Sequence, residues 1–241
     1  MIGNLLRKCT ASLLPAGLPL PILSGPMRGC LWITGAAAGA NKGLSVLANK
    51  SEPEQLAIAQ ERAQANEDGI CFDIGANVGF YSLLFSLNCK HVFAFEPFPR
   101  NLSYLERMCR INGLDNVTVL PFAVSDHVGF SSFQAGANCA LGKLDRSGGQ
   151  PVATISCDEF ARLYGVTPSI MKIDVEGGEF DLLRGARELL SDAKPDILLS
   201  THGDKLRQDC LALLKGHGYS HIVPLTDSEI DQSSEFLIAA Q

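Results

Sequence analysis

The sequence predicts an α/β fold: a doubly wound, mostly parallel sheet whose last strand runs antiparallel. Three observations carry this. Short apolar runs of strand length alternate with stretches of helical periodicity from about residue 70 to the C-terminus. Two of those runs, one ending in Asp73-Ile74-Gly75 and one ending in Asp174-Val175-Glu176-Gly177-Gly178, open through glycines into a helix, as strand-to-helix turns at a ligand crevice do. The last two runs follow each other with no helical stretch between them, so they pair antiparallel.

In chain order, Ser51 followed by Glu54 predicts a capped helix start, ahead of a helix carrying Leu56, Ile58 and Ala59. Residues 70–74 read as a buried strand, 78–87 as a helix and 91–95 as a second strand. Residues 101–112 read as a helix closed by Gly113. A third strand is expected over 117–122, hairpins or loop over 130–147, a short strand over 152–155 and a helix over 158–164. Strand 169–175, helix 179–190, strand 197–200, helix 204–215 and the final strands 221–225 and 236–239 complete the alternation. In a sheet of this kind the ligand lies beyond the strand C-termini, where strand order reverses, so functional residues should follow strands directly.

A chain of 241 residues with 46% hydrophobic and 19% charged content fills one sizeable core, and two full domains would be cramped. The expected division is residues 1–66 as an N-terminal extension and lead-in helix packed on the domain, and 67–241 as the domain. A net charge of -6 supplies no basic field for phosphates, so nucleic acid is not an expected partner. The eight cysteines include no CxxC pair, which argues against a zinc cage or a disulfide framework and for a reduced, cytoplasmic setting. Residues 9–27 carry no charge, yet Pro15, Pro19, Pro21 and Pro26 interrupt any spanning helix, so no transmembrane segment is expected. For Leu13, Leu14, Leu18, Leu20 and Ile22 the expectation is packing on the main domain, with weak contact to a membrane surface as the alternative.

The chemistry concentrates at three strand ends. Asp73, Gly75, Asn77 and Gly79 form an acidic, glycine-bearing turn. Glu96, 23 residues beyond Asp73, stands where a carboxylate accepts hydrogen bonds from ribose hydroxyls. An Asp at the head of the first turn would repel a pyrophosphate but suits S-adenosylmethionine, which carries a sulfonium and an ammonium group and no phosphate. At the third strand end Lys172, Asp174 and Glu176 would share one face, and Lys172 with Asp174 should join a charge network. The other reading of Glu176 is a carboxylate capping the helix that follows.

These motifs resemble a known family. DIGANVGFYSLL, FAFEPFPRNLSYLERMCRING, the AVSD of residues 123–126, TISCDEF and KIDVEGGEFDLLRGARELL, in this order and spacing, are similar to the FkbM family of S-adenosylmethionine-dependent methyltransferases, and PILSGPMRG to a segment ahead of that domain. The resemblance implies a seven-stranded methyltransferase fold and O-methylation of a small-molecule or glycan acceptor. It places Asp73, Gly75, Asn77 and Gly79 at the methionine end, Glu96 at the ribose, and Ser125 and Asp126 near the adenine. Lys172, Asp174 and Glu176 fall at the reaction site.

Methyl transfer to a hydroxyl needs alignment, water exclusion and a proton acceptor. His202, just after a strand, is the preferred base, and a structural hydrogen-bonded histidine is the competing reading. No metal is assigned; the alternative is a divalent ion held by Asp174, Glu176 and His202. Asn138 would serve either a ligand or a turn, and Trp32 and Phe80 either the pocket wall or the core. Gly218, between His217 and His221, marks a loop and argues against a helical metal pair there. Two competing functions are a nucleotide-dependent oxidoreductase and a catalytically inactive binding module on the same fold, the latter because residues 34–50 are rich in Ala and Gly.

Overall fold

The computed structural model describes residues 15–37, 43–135, 142–144, 149–225 and 229–240. The described elements open with β1 (Pro19–Pro21), β2 (Leu31–Ile33), α1 (Leu44–Leu47) and α2 (Pro53–Ala65). The domain then runs β3 (Ile70–Ile74), α3 (Phe80–Ser86), β4 (His91–Phe95), α4 (Pro99–Asn112), β5 (Val117–Leu120), β6 (Ala123–Val124), β7 (Gly129–Ala135) and β8 (Gly142–Leu144). It ends with β9 (Gln150–Ile155), α5 (Cys157–Tyr164), β10 (Ile170–Ile173), α6 (Glu179–Arg184), a π turn (Leu189–Ala193), β11 (Asp196–Ser200), α7 (Asp204–Gly216), β12 (His221–Pro224) and β13 (Glu235–Ala239).

Seven strands form the main sheet in the order β12-β13-β11-β10-β3-β4-β5. β13 lies antiparallel to both neighbours, and the remaining pairs are parallel. This is the doubly wound, Rossmann-like class I methyltransferase fold. Strand order reverses between β3 and β10, so the crevice opens over the C-terminal ends of those two strands.

Alternation along each strand feeds two cores. From β3, Cys71 joins Val92, Ile170, Leu198 and Leu237 beneath the face covered by Leu56, Leu83 and Met108. Phe72 and Ile74 join Phe93, Phe95 and Ile173 beneath Phe160, Leu183 and Leu214 on the other. Phe160 of α5 anchors the second core, with ring centroids 5.4, 5.1 and 4.9 Å from Phe72, Phe93 and Phe95.

Several boundaries differ from the sequence reading, each for a local reason. α2 is capped not by Ser51 but by Glu52, in a left-handed conformation with no side-chain cap; Ser51 Oγ meets Ser45 Oγ at 2.6 Å. Pro53 at the first helical turn lacks the N–H that a cap would otherwise satisfy. The strand expected over 117–122 stops at Leu120, ahead of Pro121, and Ala123–Val124 pairs with β9 in a separate four-stranded sheet of order β6-β9-β7-β8. The helix expected over 179–190 ends at Arg184. A Cβ on Gly185 would collide with the Ser125 carbonyl, so the chain turns at this close approach before the π turn.

The segment before the domain packs on α4. Asn112 clasps the backbone of Leu31, with Leu31 N–H donating to Oδ1 at 2.7 Å and Nδ2 donating to the Leu31 carbonyl at 2.9 Å. Arg107 donates to the Gly17 carbonyl and Arg100 to those of Gly35 and Ala36. Ile22 is buried in this packing, whereas Leu18 and Leu23 are exposed; Leu13 and Leu14 lie outside the described residues. No described helix is long and apolar enough to cross a membrane.

Candidate active site

A cavity of about 320 Å³ lies over the reversal point. Asp73, Gly75, Asn77, Glu96, Lys172, Asp174 and Glu176 all line it. Gly75, at φ +79°, makes the approach possible: a Cβ there would run into the Asp174 backbone carbonyl, and the Gly75 and Ala76 N–H groups both donate to the Phe95 carbonyl at 3.0 Å. Gly79 lies outside the lining; a side chain there would press Leu105 of α4.

Glu96 is 5% exposed. Its two oxygens accept from the backbone N–H groups of Asn77 and Phe98, each at 2.8 Å. Burial lifts its carboxyl to about 7 against the pull of those two bonds and of a third from the Asn101 side chain. Asp73 is 1% exposed and accepts from Ser82 Oγ at 2.5 Å. Burial raises it to about 6, opposed by the Ser82 bond and the Lys172 charge. Asn77 takes the left-handed conformation, and its buried Oδ1 has no hydrogen-bond partner among the described residues. Apolar walls come from Phe98 and Phe133, stacked at 5.7 Å, and from Phe122, Trp32 and Phe80. Trp32 and Phe80 thus serve wall and core together, edge to face at 5.8 Å.

β10 delivers the third group. Lys172 sits in register with Asp73 on the neighbouring strand and is 6% exposed. Its Nζ lies 3.3 Å from Asp174 Oδ2 and from Ser200 Oγ, and 5.0 Å from the centre of the Tyr81 ring. The strand ends at Ile173, so Asp174 and Glu176 stand on the turn rather than on a strand face. Glu176, at φ 55°, does not cap α6; the Gly177 N–H donates to Glu179 Oε1 at 3.1 Å instead.

His202 is absent from the cavity lining. Its Nε2 lies 3.4 Å from Glu176 Oε2 and 3.8 Å from Asp174 Oδ1, so it meets the cavity through those two carboxylates. Its Nδ1 lies 2.8 Å from Glu179 Oε1, and this bond raises the imidazole above its ordinary range. Glu179 has no exposure at all and was not anticipated as a site residue; its place in GGE, three residues after Glu176, was the available signal. Sequence reasoning also missed Phe98, Phe133 and the pair Glu52 and Tyr81, whose hydroxyl donates to Glu52 Oε2 at 2.7 Å on the cavity wall.

Ser125 and Asp126 are not brought to the cavity. Ser125 N–H donates to the Ile155 carbonyl, and Asp126 engages His127 at 2.9 Å and Arg184 at 3.4 Å. His217 Nδ1 meets Ser191 Oγ at 2.9 Å and His221 is exposed on β12, so they form no pair. Asn138 lies outside the described residues.

Residues 73–221 match the family profile described as Methyltransferase FkbM domain. The chain belongs to the FkbM methyltransferase family. Among curated proteins, it is 32% identical over 167 residues to the hexuronic acid methyltransferase AglP of Haloferax volcanii, covering 67% of each chain. Among solved structures, the FkbM methyltransferase of Methylobacillus flagellatus KT superposes at a TM-score of 0.53 with 16% identity over 99% of this chain. The present chain spans 59% of that FkbM protein. A precorrin-8W decarboxylase from Methanobacterium thermoautotrophicum shares the fold at a TM-score of 0.50 and 16% identity, over 77% of this chain and 89% of its own. With the family in place, a dinucleotide-dependent oxidoreductase no longer competes.

Proposed function

We propose that this FkbM protein transfers the methyl group of S-adenosylmethionine to a hydroxyl of a small sugar or glycan acceptor. One observation carries the reading: the carboxylates of Asp73 and Glu96, from the ends of two neighbouring strands, line a single cavity with the Asp174 and Glu176 pair. The residues fit the donor chemically. Glu96 keeps acceptor capacity for a ribose hydroxyl after serving two backbone N–H groups and the Asn101 side chain. Asp73 and the orphaned Asn77 Oδ1 offer negative and acceptor character to the methionine ammonium. Phe98 and Phe133 offer an apolar slot to a base. When bound, the donor supplies an electrophilic methyl on a cationic sulfur, so that the acceptor oxygen gains the carbon, the sulfur keeps the bonding pair and the hydroxyl proton is released.

This chain's own residues align the acceptor, exclude water and receive that proton at the cluster of Asp174, Glu176 and His202, with Lys172 holding Asp174 in place. The sugar class draws support from the hexuronic acid methyltransferase named above. The test is calorimetry of the full chain with S-adenosylmethionine and S-adenosylhomocysteine, followed by transfer of labelled methyl to a panel of neutral and acidic sugars. Absence of binding to either ligand would overturn the reading. Binding without transfer to any hydroxyl acceptor would leave a binding module instead.

A further inference from the structure

We propose that Asp174, Glu176 and His202 form a divalent cation site of the Mg²⁺ or Mn²⁺ type, buttressed by the buried carboxylate of Glu179. The three side chains come from two neighbouring strand ends, and one ligand atom from each lies within 4.8 Å of the others. The separations from His202 Nε2, 3.4 Å to Glu176 Oε2 and 3.8 Å to Asp174 Oδ1, fit within the roughly 4.2 Å spanned by opposite ligands each about 2.1 Å from one ion. Two carboxylate oxygens are hard donors and the imidazole nitrogen a borderline one, a set that accepts Mn²⁺ and, through its carboxylates, Mg²⁺, with no thiolate among them to favour a soft ion.

Glu179 supplies a separate argument. It is wholly buried and its Oε1 lies 2.8 Å from His202 Nδ1; an imidazole donating this bond in its neutral form would present the lone pair of Nε2 to an ion held by the two other carboxylates. A carboxylate that orients the far side of a ligating imidazole is the usual support of a metal-bound histidine. The other oxygen of Glu179, Oε2, has no hydrogen-bond partner among the described residues. Three carboxylates thus converge, and Lys172 pairs with one of them, Asp174, at 3.3 Å, leaving negative charge that a divalent ion would balance.

Asp174 and Glu176 line the cavity, so the open coordination positions face the acceptor. Two adjacent oxygens of the acceptor, a hydroxyl beside a second hydroxyl or a carboxylate, would complete the shell, and a bound hydroxyl would lose its proton more readily. That role rests on the methyl-transfer reading; the site itself does not.

The experiment is Mn²⁺ titration of the full metal-stripped chain at pH 7.5, followed by electron paramagnetic resonance, with S-adenosylhomocysteine binding measured in parallel by calorimetry. One saturable Mn²⁺ per chain is expected. It should weaken at least about tenfold in Glu176→Gln and in His202→Asn, and by roughly 10- to 100-fold in Glu179→Gln, with S-adenosylhomocysteine affinity kept within about threefold in all three. No saturable Mn²⁺, or binding that these variants leave unchanged, would overturn the site. The structure then has an imidazolium bridging the carboxylates, which the ¹⁵N shifts of His202 would reveal. Failure of S-adenosylhomocysteine to bind would count against the donor reading alone.

Discussion

Replacing Glu96 with glutamine puts the donor reading at risk most directly. The two Glu96 oxygens accept one backbone N–H each at 2.8 Å and a further hydrogen bond from the Asn101 side chain, and their remaining acceptor capacity faces the ribose hydroxyls. Glutamine has one acceptor oxygen and an NH₂ group. Whichever way the amide sits, one of the two backbone N–H groups then faces a donor, and the bonds to ribose lose their charge. Charged hydrogen bonds contribute about 1.5–3 kcal/mol and neutral ones about 1, so two weakened ribose contacts and a crowded turn should cost about 2–4 kcal/mol of binding. That is a roughly 30- to 700-fold rise in Kd for S-adenosylhomocysteine. The wild-type carboxyl titrates at about 7, raised by burial, and the ligand favours its ionised form. Affinity should therefore fall as pH drops through 7, approaching tenfold per unit below it, and in Glu96→Gln this step near 7 should be lost, leaving the fall near 6 that protonation of Asp73 brings. Calorimetry between pH 5.5 and 8.5 reads both effects. A Kd shift under threefold, or the same pH slope in the variant, would refute the assignment of Glu96 to the ribose.

Other expected outcomes follow from the same geometry. Asp73 and Glu96 hold protons more tightly folded than unfolded, at about 6 and about 7 against 3.8 and 4.5, so stability of the unliganded protein falls as pH rises from about 4 to about 7. The loss is at most about 3 kcal/mol for each group, and a Tm series across pH 5–8 should flatten in Asp73→Asn. Gly75→Ala combines a left-handed φ with a clash on the Asp174 carbonyl, and should lower Tm and weaken S-adenosylhomocysteine binding by more than about tenfold. Asn112→Ala strands both backbone groups of Leu31, costing about 1–3 kcal/mol; urea unfolding and faster proteolysis within residues 15–37 would show it.

Most of the strand and helix order was legible because it depends on neighbours in sequence. The β3 and β10 runs, the helix closed by Gly113 and the antiparallel end all follow from apolar period, glycine placement and the missing helix between β12 and β13. The strand expected over 117–122 ends before Pro121, and the helix expected over 179–190 gives way at Gly185, where close approach to the Ser125 carbonyl admits no side chain. The place of Glu96 and of the Asp73 turn beside the crevice was legible from spacing, since strand ends and the turns after them sit at fixed offsets along a chain.

What the sequence by itself determined is the order of chemistry along the chain: which residues stand at the carboxyl end of each strand and in the turn after it. Only the folded chain decided how those ends meet. His202 reached the cavity through Asp174 and Glu176 rather than directly, Glu179 became its buried partner, and Ser125 and Asp126 turned to other contacts. Contacts between residues more than twenty positions apart depend on strand order and on side-chain packing, and local periodicity carries neither.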